Sequence, residues 1–338
     1  MRPEPFKEWT RPTRLQLGWL KCLPRGVGLA VELGASPTPA AHWSLVRLRR
    51  DRRRLTVSLC SREELAGERP FYYYRTFLPA ALHLFSRAAP EIARAVVDIT
   101  DGSTSPSDHL VFCANYDDAL LVPDPEFFNA RGYEPLRGRL GGQRPWTERS
   151  HEIVWRGATT GIGLRPHERP DLVAEGMLQR VRLCARLAAT PGTDARIYRT
   201  VQSADPEGDQ AILRAAGLWG LPVPLERWLD ARFAIDIDGN TNAWSNLFTR
   251  LLLGCCVLKV ASPLGYRQWY YEALQPFVNY VPVRADLADV EDRIEWCRSN
   301  PAACAAIAKA GQALALSMTF QSETARGIAR INERLGGL

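Results

Sequence analysis

At 338 residues the chain is long enough for two medium domains, and with 46% hydrophobic and 24% charged residues it is neither too small nor too polar to bury large cores. The formal net charge of +6 comes almost wholly from arginine and suits an anionic partner, whether nucleotide diphosphate, acidic glycan, anionic membrane surface or nucleic acid. Eight scattered cysteines form no CxxC pair and five histidines show no ligand spacing, so buried free thiols in a reducing compartment are expected rather than a disulfide or metal framework.

In chain order, residues 1–90 carry the weakest pattern. No stretch resembles a secretory leader, and the apolar run over 15–33 is broken by Lys21, Pro24, Arg25 and Glu32, too often to cross a membrane. A cytoplasmic protein is therefore expected. Residues 43–48 and 55–59 read as two strands turning at Arg50-Asp51. This hairpin, 43–59, carries Arg47, Arg49, Arg50, Arg52, Arg53 and Arg54, which serve either as a solvated tip or as an electrostatic footprint for anionic lipid or acceptor glycan. Residues 71–85 read as an aromatic-rich helix interrupted near Pro79.

From residue 91 short apolar strands alternate with helices. Strands are expected at 95–99, 110–114, 120–122, 153–155, 196–198, 233–237, 256–260 and 280–283. Helices are expected at 172–189, 266–274, 287–297, 301–317 and 320–335, and Trp244, Leu247, Phe248, Leu251 and Leu252 mark another amphipathic one. A Pro-, Gly- and Arg-rich connection occupies 123–145. Such alternation predicts a parallel sheet covered on both faces. The length leaves room for two such domains, and the last two helices, 301–317 and 320–335, close the chain.

The strongest chemical signal runs from Phe233 through Asp236-Ile-Asp238-Gly239-Asn240 to Trp244-Ser245. A strand delivers two alternating carboxylates to a polar loop, and a helix starts at once. Amides at a helix start, with the positive end of its dipole, suit a diphosphate, and open α/β sheets bind nucleotides outside the carboxyl ends of their strands. Taken alone, the run also fits any strand-to-helix turn. Asp236 and Asp238 share a strand face, which admits a divalent metal; equally, one carboxylate caps the loop while the other meets sugar or water.

Together with Leu251-Leu252, Val257-Leu258-Lys259, Trp269-Tyr270-Tyr271, Leu274, Pro276, Tyr280-Val281-Pro282-Val283 and Asp286-Leu287, this run resembles glycosyltransferase family 90. That family includes fungal capsule-associated xylosyltransferases, animal protein O-glucosyltransferases and bacterial lipopolysaccharide-modifying proteins. A second block, Trp155-Arg156-Gly157-Ala158-Thr159-Thr160-Gly161, is similar to its Arg-Gly-Ser-x-Thr segment, with Ala158 in place of serine. The likeness covers residues 91–335. It implies an α/β fold of GT-B type, two Rossmann-like domains facing across a cleft, with acceptor recognition in 1–150 and the donor in 151–338. It also implies an inverting transfer from a UDP-sugar to a hydroxyl of a glycan, lipopolysaccharide core or another surface polysaccharide. The UDP-sugar is a co-substrate, and neither an essential metal nor a nucleic-acid partner is implied. A peripheral contact with an anionic membrane fits the basic hairpin.

Carried over residue by residue, the likeness places Arg156, Gly157, Ala158, Thr159, Asp236, Asp238, Gly239, Asn240, Asn242, Trp244, Ser245 and Asn246 around the donor. Arg169, in His167-Glu168-Arg169, matches the family's diphosphate arginine, with Arg165 as its competitor. Val96-Val97-Asp98-Ile99-Thr100-Asp101 is similar to the family's Val-Val-Asn-Val-Arg-Asp, which makes Asp101 the catalytic base, with Asp98 in reserve and Asp117 third. One departure stands out. Ser245-Asn246-Leu247 lacks the arginine that opens the family's donor helix, leaving the diphosphate to Arg169, the helix N-terminus or Arg250. That gap and Ala158 sustain a second reading, a catalytically impaired glycan- or nucleotide-binding protein on the same fold. Trp269, Tyr270 and Tyr271 suit either stacking on uracil or core packing.

Overall fold

A computed structural model describes residues 11–34 and 43–337. It divides into two compact α/β units, one drawn from Met1–Gly132, Arg267–Trp269 and Phe320–Leu338, the other from Tyr133–Tyr266 and Tyr270–Thr319. The two Rossmann-like units expected of a GT-B chain are thus present.

Unit one contains α1 (Arg11–Leu20), β1 (Gly28–Leu33), β2 (Leu45–Asp51), β3 (Arg54–Leu59), α2 (Arg62–Leu65), α3 (Glu68–Thr76), α4 (Leu78–Phe85), β4 (Arg94–Asp98), β5 (Leu110–Val111), β6 (Leu120–Leu121) and α5 (Pro125–Asn129). Its sheet runs β1-β3-β2-β4-β5-β6, and β2 alone is antiparallel to its neighbours. The basic hairpin is real: β2 and β3 pair around a turn in which Arg52 takes φ +49°. Not all of its arginines are solvated. Arg50 donates to the carbonyls of Ala88, Ala89 and Ile92 and lies over the Phe85 ring. The interruption expected near Pro79 in the helix over 71–85 is a break into two helices meeting at Phe77. Pro79 sits in the first turn of α4, where a missing N–H costs nothing.

Unit two contains α6 (Glu134–Arg137), β7 (Ser150–Ala158), α7 (Gln179–Leu187), β8 (Thr193–Arg199), α8 (Pro206–Ala215), α9 (Leu225–Leu229), β9 (Ala231–Asp236), α10 (Ser245–Leu252), β10 (Cys256–Val260), β11 (Val281–Val283), α11 (Val290–Ser299) and α12 (Pro301–Ser317). The chain then returns to unit one as α13 (Phe320–Leu335). The sheet of unit two runs β11-β10-β9-β7-β8 and is parallel throughout. Every residue of β9 and β10 is buried, as central strands covered on both faces require.

Three departures from the sequence expectation have physical causes. The division falls at Gly132/Tyr133, not at 150/151. Tyr133 stacks on Phe248, while Gln143 and the buried Arg149 each donate to the Leu253 carbonyl at 2.9 Å, binding 133–150 to unit two. The expected helix over 266–274 reduces to a single 3-10 turn, Tyr271–Ala273. Its adjacent aromatics enter separate cores: Trp269 packs on Phe127 and donates to the buried Glu323, whereas Tyr270 packs on Phe248. The helix expected over 172–189 begins only at Gln179, because Leu164 and Met177 pair as an isolated bridge beside Gly176 at φ +85°. All eight cysteines are free thiols, seven of them buried. No single helix among the described residues is long and apolar enough to cross a membrane.

Gly311 in α12 tests the packing of unit two. A Cβ there would lie 2.8 Å from the Asn279 carbonyl oxygen and 2.8 Å from Leu251 Cδ2. Alanine favours a helix over glycine by about 1 kcal/mol, but overpacking against backbone costs about 1–3 kcal/mol. Gly311→Ala is therefore expected to lower the urea midpoint; a raised midpoint would show that α12 packs more loosely than this.

Candidate functional site

The loops following β7, β9 and β10 enclose a pocket of about 160 Å³ at the carboxyl end of the unit-two sheet, with Thr160, Gly161, Asp238, Gly239, Asn240 and Ser262 in its wall. Arg180, in the first turn of α7, holds two of these loops together. Its Nε donates to the Asp238 carbonyl at 2.9 Å, Nη2 to the Ile237 carbonyl at 3.1 Å, and Nη1 to Thr160 Oγ1 at 2.6 Å and the Ala158 carbonyl at 3.3 Å. Burial lowers its pKa, against the pull of Asp236 and Asp238. The loops meet so closely that a Cβ on Gly239 would lie 2.6 Å from Thr160 Oγ1 and 3.1 Å from Arg180 Nη2. Asn240 completes the join, accepting the Gly161 N–H at 3.0 Å.

Asp236 and Asp238 have opposite fates. Asp236 is wholly buried, accepting from Lys259 Nζ at 3.0 Å and from Asn246 Nδ2 at 2.8 Å. Lys259 stands directly across from it in the β9–β10 register and also lies over the Tyr271 ring. Both Asp236 oxygens are therefore occupied, one by Asn246 and one by Lys259. Asp238 is 3% exposed, yet neither carboxylate oxygen makes a hydrogen bond within the protein. Burial pushes its pKa up to about 6, opposed by the positive charges of Lys259 and Arg180 and by the nearby Ser262 hydroxyl. Buried polar groups are nearly always paired, so a bare carboxylate in a pocket wall marks a place for a hydrogen-bond donor from outside.

The start of α10 follows. Asn242 accepts the Trp244 N–H at 2.6 Å, while its buried Nδ2 lacks a partner. Trp244 holds φ +48°, an unfavourable conformation for a side-chain-bearing residue, and Ser245 opens the helix.

The second block is mostly scaffold. Arg156, expected at the donor, has every N–H engaged: Nη2 to both oxygens of Asp194 at 2.8 and 2.7 Å, Nη1 to the Trp155 and Asp194 carbonyls, and Nε to the Leu221 carbonyl. The Thr159 hydroxyl is wholly buried and exchanges hydrogen bonds with the Val201 backbone. Gly157 leaves room for the Trp155 ring, and Ala158 is buried with its carbonyl on Arg180. Only Thr160 and Gly161 of this block reach the pocket. Arg250 is also misplaced by the sequence. Its guanidinium stacks 3.6 Å from the Trp228 ring, just ahead of β9 and so at the opposite end of that strand from Gly239, and burial lowers its pKa to about 10. Arg165 is tied to the Thr159 carbonyl, whereas Arg169 is exposed and donates to the Glu175 carbonyl at 3.3 Å.

In unit one, Asp101 follows β4, half-buried, and accepts from Tyr73 Oη at 2.6 Å. Burial and then the Asp101 carboxylate hold the Tyr73 hydroxyl protonated. The Tyr73 ring packs on Trp43, and Arg69 lies over both rings. Asp98 instead turns back to the Thr100 N–H at 3.0 Å, and Asp117 pairs with Arg267 at the surface.

Arg180, Lys259 and Tyr73 are the residues that sequence reasoning missed. A lone lysine inside an apolar strand was a usable signal for Lys259, since such a charge needs a partner. Arg180 had none, because its partners lie as many as 58 positions away.

The model of the family described as glycosyl transferase family 90 matches residues 133–321. Protein O-glucosyltransferase 2 of Danio rerio is 34% identical over 226 residues, covering 58% of this chain and 44% of that protein. The uncharacterized protein 035R of Invertebrate iridescent virus 3 is 31% identical over 179 residues, covering 48% of this chain and 14% of that one. The chain therefore spans less than half the length of these curated relatives. Among solved structures, Anabaena Alr3699/HepE in complex with UDP-glucose overlaps 77% of this chain and 62% of its own, at 14% identity and a TM-score of 0.36.

Two outcomes check the site's electrostatics. Lys259→Met leaves Asp236 buried without its cation and is expected to cost about 3–5 kcal/mol by urea unfolding; a loss near zero would mean that the Asp236–Lys259 pair does not hold the two strands together. Asp238 has a folded pKa above its unfolded value, so its contribution to stability is full below about pH 4 and is lost as the pH rises through about 6. Asp238→Asn should accordingly gain up to about 3 kcal/mol relative to wild type on going from pH 4 to pH 8. A constant difference across that range would place Asp238 in contact with water.

Proposed function

The chain belongs to glycosyl transferase family 90, and on that premise we propose that it transfers a sugar from a UDP-sugar to a hydroxyl of a glycan, inverting the anomeric carbon. The observation that carries this reading is the buried Asp238 carboxylate, unbonded, in the wall of a pocket at the carboxyl end of a parallel sheet. Nucleotides bind at that end of open α/β sheets, and sugar hydroxyls are the donors that a bare carboxylate lacks. The amides of Gly239 and Asn240 and the start of α10 take the diphosphate, with Arg169 as its cation. The name of the Danio rerio relative makes UDP-glucose the first donor to try.

Asp101 is the base of this proposal. As the acceptor oxygen bonds to the anomeric carbon and UDP departs with the electrons of the broken bond, the acceptor's proton passes to the carboxylate. The Tyr73 hydroxyl keeps that carboxylate oriented. Because Asp236 is occupied by Lys259 and Asn246, the mechanism uses no divalent metal. The acceptor is lipopolysaccharide core or another surface glycan, met in the cytoplasm with a peripheral hold on an anionic membrane.

UDP release from UDP-glucose in the presence of a glycan acceptor tests the reading. Asp101→Asn should lower turnover by about 10²–10⁴-fold while UDP still binds, and Arg169→Ala should weaken UDP binding by about 1–3 kcal/mol. EDTA should change neither. Wild-type turnover in Asp101→Asn would assign the base elsewhere, and UDP binding without turnover in the parent protein would favour a binding module.

A further inference from the structure

The sheet of unit one has two unlike faces. Val46, Leu48, Leu55, Val57, Leu59 and Val97 point to one side and are essentially inaccessible. The register places the other set in rows. Glu32 stands beside Ser58, Ser58 beside Arg47, and Arg47 beside Val96; in the next row Ala30, Thr56, Arg49 and Arg94 follow in the same way. Residues paired across strands, and residues two apart along one, share a face. This second face is therefore polar and cationic, and Arg47, Arg49 and Arg94 are exposed on it.

A groove of about 610 Å³ runs along these rows, with Arg47, Arg49, Arg94, Ser58, Val96 and His109 among its walls. The acids that line it are already matched: Glu32 meets Arg49 at 3.3 Å, and Asp108 meets Arg334 at 2.7 Å. Arg94 has no acidic partner among the described residues, and the exposed Arg52, Arg53 and Arg54 add charge at the adjoining turn.

We propose that this groove docks an anionic glycan, an extended chain of sugars bearing carboxylate or phosphate groups. A polymer fits better than a lipid surface for three reasons. The site is concave, its arginines stand in rows two residues apart rather than on one flat patch, and among the described residues that line it there is no Phe, Tyr or Trp to enter a bilayer. Arg47 and Arg49 recur at the two-residue repeat of a strand, roughly 7 Å, a spacing that an extended polyanion can follow. That the docked glycan is the acceptor rests on the transferase reading; that it binds does not.

The test is fluorescence anisotropy on the whole chain without UDP-sugar, using labelled oligogalacturonate, labelled maltodextrin of equal length, and vesicles of phosphatidylcholine with phosphatidylglycerol. Oligogalacturonate should bind, more weakly as salt rises, and maltodextrin should not. Arg47→Ser with Arg94→Ser should weaken binding by about tenfold or more, while the charge-matched control Arg62→Ser with Arg75→Ser should not. Equal binding of maltodextrin, equal losses in both double variants, or tighter binding to the vesicles would each overturn the proposal. UDP binding measured in parallel keeps the two readings apart: its loss with oligogalacturonate binding intact would count against the transferase, not the groove.

Discussion

Asp236 and Lys259 face each other across two strands that are apolar on both sides, and each charge is tolerable there only because of the other. Removing two ions from water is expensive, and two well-packed apolar residues would often serve stability as well. What this pair adds is placement. With Asn246 donating to Asp236, it fixes β9, β10 and the first turn of α10 relative to one another. It also sets a positive charge close to Asp238, whose own oxygens are left bare. Arg180 does for the loops what Lys259 does for the strands. The site thus has a satisfied layer of Asp236, Lys259, Asn246 and Arg180 beneath an unsatisfied one of Asp238 and the Asn242 amide. A rigid support under groups still seeking partners is the arrangement that binding a polar ligand calls for.

The parts of this that were legible in the sequence were those written locally. Alternation of apolar strands with helices announced a parallel sheet covered on both faces, the family resemblance announced two α/β units, and the Phe233–Ser245 run announced a strand, a tight polar loop and a helix start, all of which exist. What the sequence hid was partnership at a distance. Arg156 and Thr159 have the residue types of a phosphate site, but Asp194 and Val201, neighbours only through the sheet, absorb them. Arg250 lies one turn beyond the loop in sequence and a whole strand away in space. The need for glycine at 239 is of the same kind, since it becomes visible only once Thr160 and Arg180 are placed beside it.

Unit one was read least well because its order is non-local. β1 pairs in parallel with β3 rather than with the strand that follows it, and β5 and β6 are two residues each, too short for any periodicity. The arginines of the hairpin illustrate the limit: Arg50 is spent on backbone carbonyls, while Arg47 and Arg49 line a groove, and only the register separates them. Likewise the partner of Asp101 is a tyrosine from a helix, 28 positions earlier, within an aromatic run that reads equally well as core.

The central claim is that the pocket beside Gly239 is where UDP binds, and calorimetric titration of UDP into wild type and Gly239→Ala addresses it most directly. The added methyl group would crowd Thr160 Oγ1 and Arg180 Nη2 and displace the joined loops. The account predicts UDP binding by wild type and a loss of at least about tenfold, 1.4 kcal/mol, in the variant, with circular dichroism unchanged. Equal affinity in the two proteins, or no UDP binding by wild type, would contradict it.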